Sequence, residues 1–172
     1  ALANDPNHIY LCSLSKIFAP GVRLGYVYAQ PPMLEKLLAR RHDAGPNTLA
    51  AAIVEEYLRD GLWEHIDMAN AALKIKRDAM LEGLAANLGN SCSWSNPVGG
   101  LFIWVRIPDD VDMDKFEAEG TKRGVTFARG SNFYVRDDEI PYIRLAFGFP
   151  TEENIRAGVP QLAQALQAAR PS

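Results

Sequence analysis

The residues best equipped for chemistry lie near the start of this 172-residue chain, in Ser13-Leu14-Ser15-Lys16-Ile17-Phe18-Ala19-Pro20-Gly21-Val22-Arg23-Leu24-Gly25. A lysine stands just past a short apolar run, with hydroxyls at Ser13 and Ser15, and Arg23 follows seven residues later. Strand ends in α/β sheets are the usual place for ligands. A lysine held against low-dielectric surface loses preference for its charged form and becomes a nucleophilic amine. Such an amine forms a Schiff base with an aldehyde. Hydroxyls plus a guanidinium suit a phosphate, because arginine offers several fixed donors to its oxygens. An aldehyde and a phosphate on one ligand describe pyridoxal 5'-phosphate. The residue types alone leave a second reading open, a solvated loop lysine with Arg23 in a surface ion pair.

Two later segments are also informative. Asn96-Pro97-Val98-Gly99-Gly100-Leu101-Phe102-Ile103-Trp104 reads as a turn into a strand, and the glycine pair allows close backbone approach. Tyr142-Ile143-Arg144-Leu145-Ala146-Phe147 places an arginine inside an apolar strand. A buried arginine there is costly unless paired; on its own, the alternation of the strand sends Arg144 to water. Arg40, Arg41 and His42 read as a solvated helix end, Cys12 as a buried strand residue and Arg129 as a surface arginine or a pocket rim. Asp109, Asp110, Asp112 and Asp114 lack the glycine and terminal glutamate of a calcium loop. His8, His42 and His65 show no metal spacing.

The run from Ser13 to Gly25 closely resembles the pyridoxal-phosphate lysine signature of the class I/II aminotransferases, Ser-x-Ser-Lys, a short spacer, then Pro-Gly-x-Arg-x-Gly, with every fixed position filled. The Pro97 to Trp104 strand and the Ile143-Arg144-Leu145 strand resemble two segments of the same family's smaller domain. The resemblance implies that Lys16 carries the cofactor as a Schiff base and moves the proton at the substrate α-carbon. It implies that Ser13 and Arg23 hold the phosphate, with Ser15 shaping the turn or assisting, and that Pro20 and Gly21 bring Arg23 back toward Lys16. It implies that Arg144 grips the substrate α-carboxylate. The expected activity is amino-group exchange between an amino acid and a 2-oxo acid in a homodimer. Two alternatives accompany it: another reaction of the same cofactor, such as β-elimination, or an aminotransferase-like sensor domain in a transcription regulator with a DNA-binding segment upstream.

The elements that must position these residues follow from pattern. Ile9 to Leu14 reads as a buried strand and Val22 to Ala29 as a second. Pro31-Pro32 opens a helix that Gly45-Pro46 breaks. Asn47 caps another, burying Leu49, Ile53 and Tyr57 and ending near Gly61. A long helix runs from Leu62 to Leu88, with Arg77 interrupting its apolar stripe and Gly89 closing it. Strands are expected over Leu101 to Ile107, Val125 to Ala128 and Tyr142 to Phe147. Helices are expected over Asp112 to Arg123 and from Thr151 onward, with a kink or restart at Pro160. The fold class is α/β. The resemblance makes it the C-terminal part of a transferase-like fold: the end of a large-domain sheet over 1–65, a long interdomain helix, and a small α/β domain over 66–172.

Composition bounds the rest. Lys and Arg number 18 against 21 Asp and Glu, a formal charge of −3 that offers no basic stripe for nucleic acid. No apolar run reaches the roughly 20 residues needed to span a bilayer. Two cysteines, Cys12 and Cys92, fit a reducing cytoplasm. A strand follows Ala1 almost at once, which reads as a piece of something longer. The family's acidic partner of the pyridine nitrogen and its ring-stacking aromatic belong to an N-terminal portion that no motif here matches.

Overall fold

The computed structural model describes residues 5–135 and 140–171. The chain forms two compact units, Ala1–Ala69 and Asn70–Ser172, divided within a helix.

In the first unit, β1 (Ile9–Ser13) pairs antiparallel with β2 (Gly25–Ala29), Ile9 facing Ala29 and Ser13 facing Gly25. The connection holds the Lys16 turn and a 3-10 turn at Pro20–Val22. Burial was expected for β1; in the ribbon only Ala29 is buried. A two-stranded ribbon has two faces to cover, and apolar content alone covers neither. Cys12 accordingly lies half-buried opposite Tyr26.

Helix α1 (Pro31–Leu38) starts at its proline as read, but it ends before Gly45-Pro46 is reached. Helix α2 (Thr48–Leu88) is one element of 41 residues. The expected break at Gly61 does not occur. A helical glycine costs only about 1 kcal/mol relative to alanine, too little to stop a helix of good formers. Asn47 does cap it, its Oδ1 accepting from the Ala50 N–H at 3.1 Å. Leu49, Ile53 and Tyr57, expected to be buried, are exposed, and Val54 is the buried residue of that stretch.

The second unit holds a four-stranded antiparallel sheet in the order β3 (Ser93–Trp94), β4 (Phe102–Arg106), β6 (Tyr142–Ala146), β5 (Ala128–Arg129). Alternation sends Ile103, Val105, Ile143 and Leu145 to one face, where they are buried with Met80, Leu84 and Leu88 of α2. Helices α3 (Met113–Lys122) and α4 (Glu152–Ala168) complete this core through Phe116, Ile155, Val159 and Leu162. Asp112 and Thr151 cap the two helices, accepting from the Lys115 and Asn154 N–H groups. No restart occurs at Pro160: α4 is continuous, and buried Val159 and Leu162 hold it on either side of the missing N–H. The strand expected from Val125 contracts to Ala128–Arg129, and a 3-10 turn follows at Gly130–Phe133.

The polar break at Arg77 has a structural use. Its guanidinium grips Asp78 at 2.6 and 2.8 Å and donates to the Pro97 carbonyl at 3.3 Å. Lys76 beside it donates to the Gly148 carbonyl at 3.2 Å. Adjacent cations of α2 thus hold the loop entering β4 and the loop leaving β6.

Candidate functional site

The lysine turn is built by local hydrogen bonds. The Leu14 N–H donates to the Leu24 carbonyl at 3.0 Å, extending the ribbon by one rung. The Phe18 N–H donates to the Leu14 carbonyl at 2.8 Å and closes one helical turn around Lys16. Ser13 Oγ accepts from the Ser15 N–H at 3.3 Å. Arg23 Nη1 donates to Ser15 Oγ at 3.4 Å and to the Pro20 carbonyl at 3.3 Å. The hydroxyl that meets the guanidinium is therefore that of Ser15, while Ser13 stabilises the turn. These contacts are made within the protein alone, and the phosphate role expected for Ser13 is a separate matter.

The backbone that returns Arg23 to this turn was expected from Pro20 and Gly21. Both lie in the 3-10 turn at Pro20–Val22, and Arg23 caps that turn in a left-handed conformation, at φ 52° and ψ 38°. A left-handed conformation costs a non-glycine residue about 1 kcal/mol or more, and such outliers cluster at functional sites. The motif's last glycine has a steric reason: a Cβ on Gly25 would stand 2.8 Å from the Cys12 carbonyl oxygen. Gly21 meets nothing within 4 Å.

Lys16 is exposed, so the low-dielectric surroundings expected for it are not supplied by the uncovered ribbon. Among the described residues, neither Lys16 nor Arg23 pairs with a carboxylate. A free amine, two hydroxyls and an unneutralised guanidinium on one turn form a donor set suited to an aldehyde-bearing phosphate ester.

Sequence reading missed three residues around this turn. His65 Nε2 lies 2.7 Å from the Ile17 carbonyl oxygen, and Tyr57 Oη lies 3.2 Å from His65 Nδ1. The Phe18 ring packs on both, 5.1 Å from Tyr57 and 6.1 Å from His65 between ring centres. The only available signal was two polar aromatics eight apart on one helix, which says nothing about a distant turn.

Arg144 belongs to the second unit. On β6 it stands opposite Trp104, on the sheet face away from the core. It does not point simply to water. Its guanidinium carbon lies 4.0 Å from the ring centre of Phe102 and 4.0 Å from that of Phe133, which arrives on the 3-10 turn. Trp104 packs edge-on against Phe133 at 5.8 Å and stacks with Tyr142 at 5.5 Å. Among the described residues no carboxylate pairs with Arg144. Two aromatic rings hold the guanidinium without using up its N–H donors, and a planar carboxylate matches a pair of such donors. In the loop before β4, Gly100 takes φ 84°, so its glycine answers a backbone requirement; no neighbour within 4 Å crowds it. Arg129 ties β5 to α3 through Asp114 and Glu117.

The family model "Aminotransferase class I and II" matches residues 1–162. The chain belongs to the class I and II aminotransferase family. It is 34% identical over 162 residues to aromatic-amino-acid aminotransferase 1 of Thermococcus litoralis, covering 92% of this chain and 39% of that protein. It is 28% identical, at a TM-score of 0.89, to the crystal structure of LysN, the α-aminoadipate aminotransferase of Thermus thermophilus, complexed with N-(5'-phosphopyridoxyl)-L-leucine. That match covers 94% of this chain and 42% of LysN. An uncharacterised HTH-type transcriptional regulator of Bacillus subtilis, YdfD, is 27% identical over 157 residues, covering 90% of this chain and 32% of the regulator. The chain thus spans 32 to 42% of the length of these relatives.

Proposed function

We propose that this chain carries the lysine, phosphate and carboxylate elements of a pyridoxal-phosphate-dependent aminotransferase. The supporting observation is the turn on which Lys16, free of any described carboxylate, stands beside Ser15 and the left-handed Arg23. Bound there, pyridoxal phosphate supplies an aldehyde and an electron-withdrawing ring. Arg23 and the Ser13 hydroxyl would bind the phosphate, with Ser15, which Arg23 meets at 3.4 Å, shaping the turn or assisting. Lys16 Nζ would hold the cofactor aldehyde and would move the proton at the substrate α-carbon. Arg144, held against Phe102 and Phe133, would orient the substrate carboxylate. The amino-group donors and acceptors are amino acids and 2-oxo acids, and the subunit works as a cytoplasmic homodimer.

The test is reduction with borohydride after incubation with pyridoxal phosphate, followed by peptide mapping. Labelling selective for Lys16 over Lys36, Lys74, Lys76, Lys115 and Lys122 is expected. Labelling spread evenly over the six, in the full protein, overturns the assignment. The regulator among the relatives supports a second reading, a cofactor-bound sensor. Spectra recorded on adding single amino acids separate the two, since a transaminase converts its cofactor to the amine form and a sensor does not complete that half-reaction.

A further inference from the structure

The aromatic cluster beside the lysine turn does more than fill space. A carbonyl oxygen carries no proton, so the 2.7 Å contact between His65 and Ile17 requires the hydrogen to sit on Nε2. In the neutral ring Nδ1 is then an acceptor, and the Tyr57 hydroxyl is placed to donate to it at 3.2 Å. Tyr57 therefore fixes the tautomer that lets His65 hold the Ile17 carbonyl. Backbone donors close the turn at the Leu14 and Leu24 carbonyls and leave the Ile17 carbonyl to the histidine. Ile17 is the residue directly after Lys16, and Phe18, one further on, is held by its ring against the same two side chains. The Ile17–Phe18 peptide unit and the Phe18 ring are thus held from α2, the hydrogen bond spanning 48 residues of sequence.

We propose that His65 is a positioning residue for Lys16. Its Nε2–H fixes the Ile17 carbonyl and so sets the direction in which the Lys16 side chain leaves the turn, and Tyr57 holds the histidine in the required tautomer. This rests on the assignment of Lys16 as the cofactor lysine, but the anchor itself can be measured apart from it.

The experiment compares wild type with His65→Phe, His65→Gln and Tyr57→Phe in the full protein. Phenylalanine keeps the ring packing and removes the donor. Glutamine restores an N–H near the Nε2 position. Two readouts are taken: amide hydrogen exchange at residues 14–18 without cofactor, and the yield of borohydride-trapped Lys16 at limiting pyridoxal phosphate. One lost hydrogen bond predicts about five- to tenfold faster exchange at Phe18 in His65→Phe. The trapping yield falls with it, His65→Gln recovers most of both, and Tyr57→Phe falls between. Wild-type exchange and trapping in His65→Phe overturn the proposal, as does an equal loss in His65→Phe and His65→Gln, because a purely steric role does not distinguish a donor from a ring. If wild type itself fails to trap at Lys16, the cofactor reading has failed. The exchange readout still decides whether His65 anchors the turn.

Discussion

The guanidinium carbon of Arg144 lies 4.0 Å from the ring centre of Phe102, reached diagonally across the β4–β6 ladder. Phe133 approaches to the same distance. Each ring contributes about 0.5–2 kcal/mol to holding the cation. Replacing Phe102 or Phe133 with alanine should raise KM for an amino acid substrate about three- to thirtyfold, with a smaller effect on kcat. Arg144→Lys should lower kcat/KM by about 100-fold, because an ammonium cannot present a bidentate edge. Steady-state kinetics on the full protein measure both. The ring variants should leave the rate with an amine lacking a carboxylate unchanged, and an equal loss with such an amine would remove Arg144 from the carboxylate role.

Arg23 should discriminate between cofactor forms. On the proposed reading, in which its guanidinium binds the phosphate, Arg23→Ala should weaken pyridoxal phosphate about tenfold to a hundredfold, as expected for a charge-assisted hydrogen bond. Binding of pyridoxal, which has no phosphate, should change little. Fluorescence titration with the two compounds gives the comparison. Equal weakening of both would mean that Arg23 shapes the turn and does not grip an anion.

The two motif glycines should behave differently. A Cβ at Gly25 would meet backbone that cannot rotate away, the Cys12 carbonyl at 2.8 Å. Gly25→Ala should therefore loosen the β1–β2 ribbon, at a cost of about 1–3 kcal/mol. Gly21→Ala meets open space and should leave the ribbon intact. Amide exchange over residues 9–13 and 25–29 reads the difference. Equal protection in both variants would contradict the steric account.

Glu119 makes the second unit sensitive to acid. Lys122 donates to its carboxylate at 2.7 Å and Arg123 to the other oxygen, holding its pKa at about 2 against an ordinary 4.5. A depressed carboxylate pKa stabilises the fold above the unfolded value, and that stabilisation fades as pH falls from about 4.5 to about 2. Glu119→Gln should be less stable than wild type at pH 7 and indistinguishable from it near pH 2. Urea denaturation across that range is the measurement. A gap that stays constant with pH would show that packing, and not charge, is lost in the variant.

What could be read from sequence was what is local. Asn47, Asp112 and Thr151 stand at the helix starts read for them and cap those helices, because a cap needs only residues within one turn. The Ser13 to Gly25 motif was legible for the same reason. The exposure of β1 was not, because burial depends on what covers a strand and not on the strand. The continuity of α2 through Gly61 was missed because one glycine is a weak breaker inside a long run of formers. His65 and Tyr57 were invisible as partners of the lysine turn, since nothing in a local pattern links residues 48 apart.

The backbone of Arg23 carries a lesson for redesign. At φ 52° the local conformation favours glycine or asparagine, and either would relax the chain. A procedure that ranks substitutions by folding stability would therefore mark this arginine as an error and exchange it. The exchange would make the turn easier to form and remove the one cation that the turn presents to Ser15. Improving this segment as a scaffold and preserving the anion site proposed for it are opposed at a single residue. A stabilised variant of this chain should be built with position 23 held fixed.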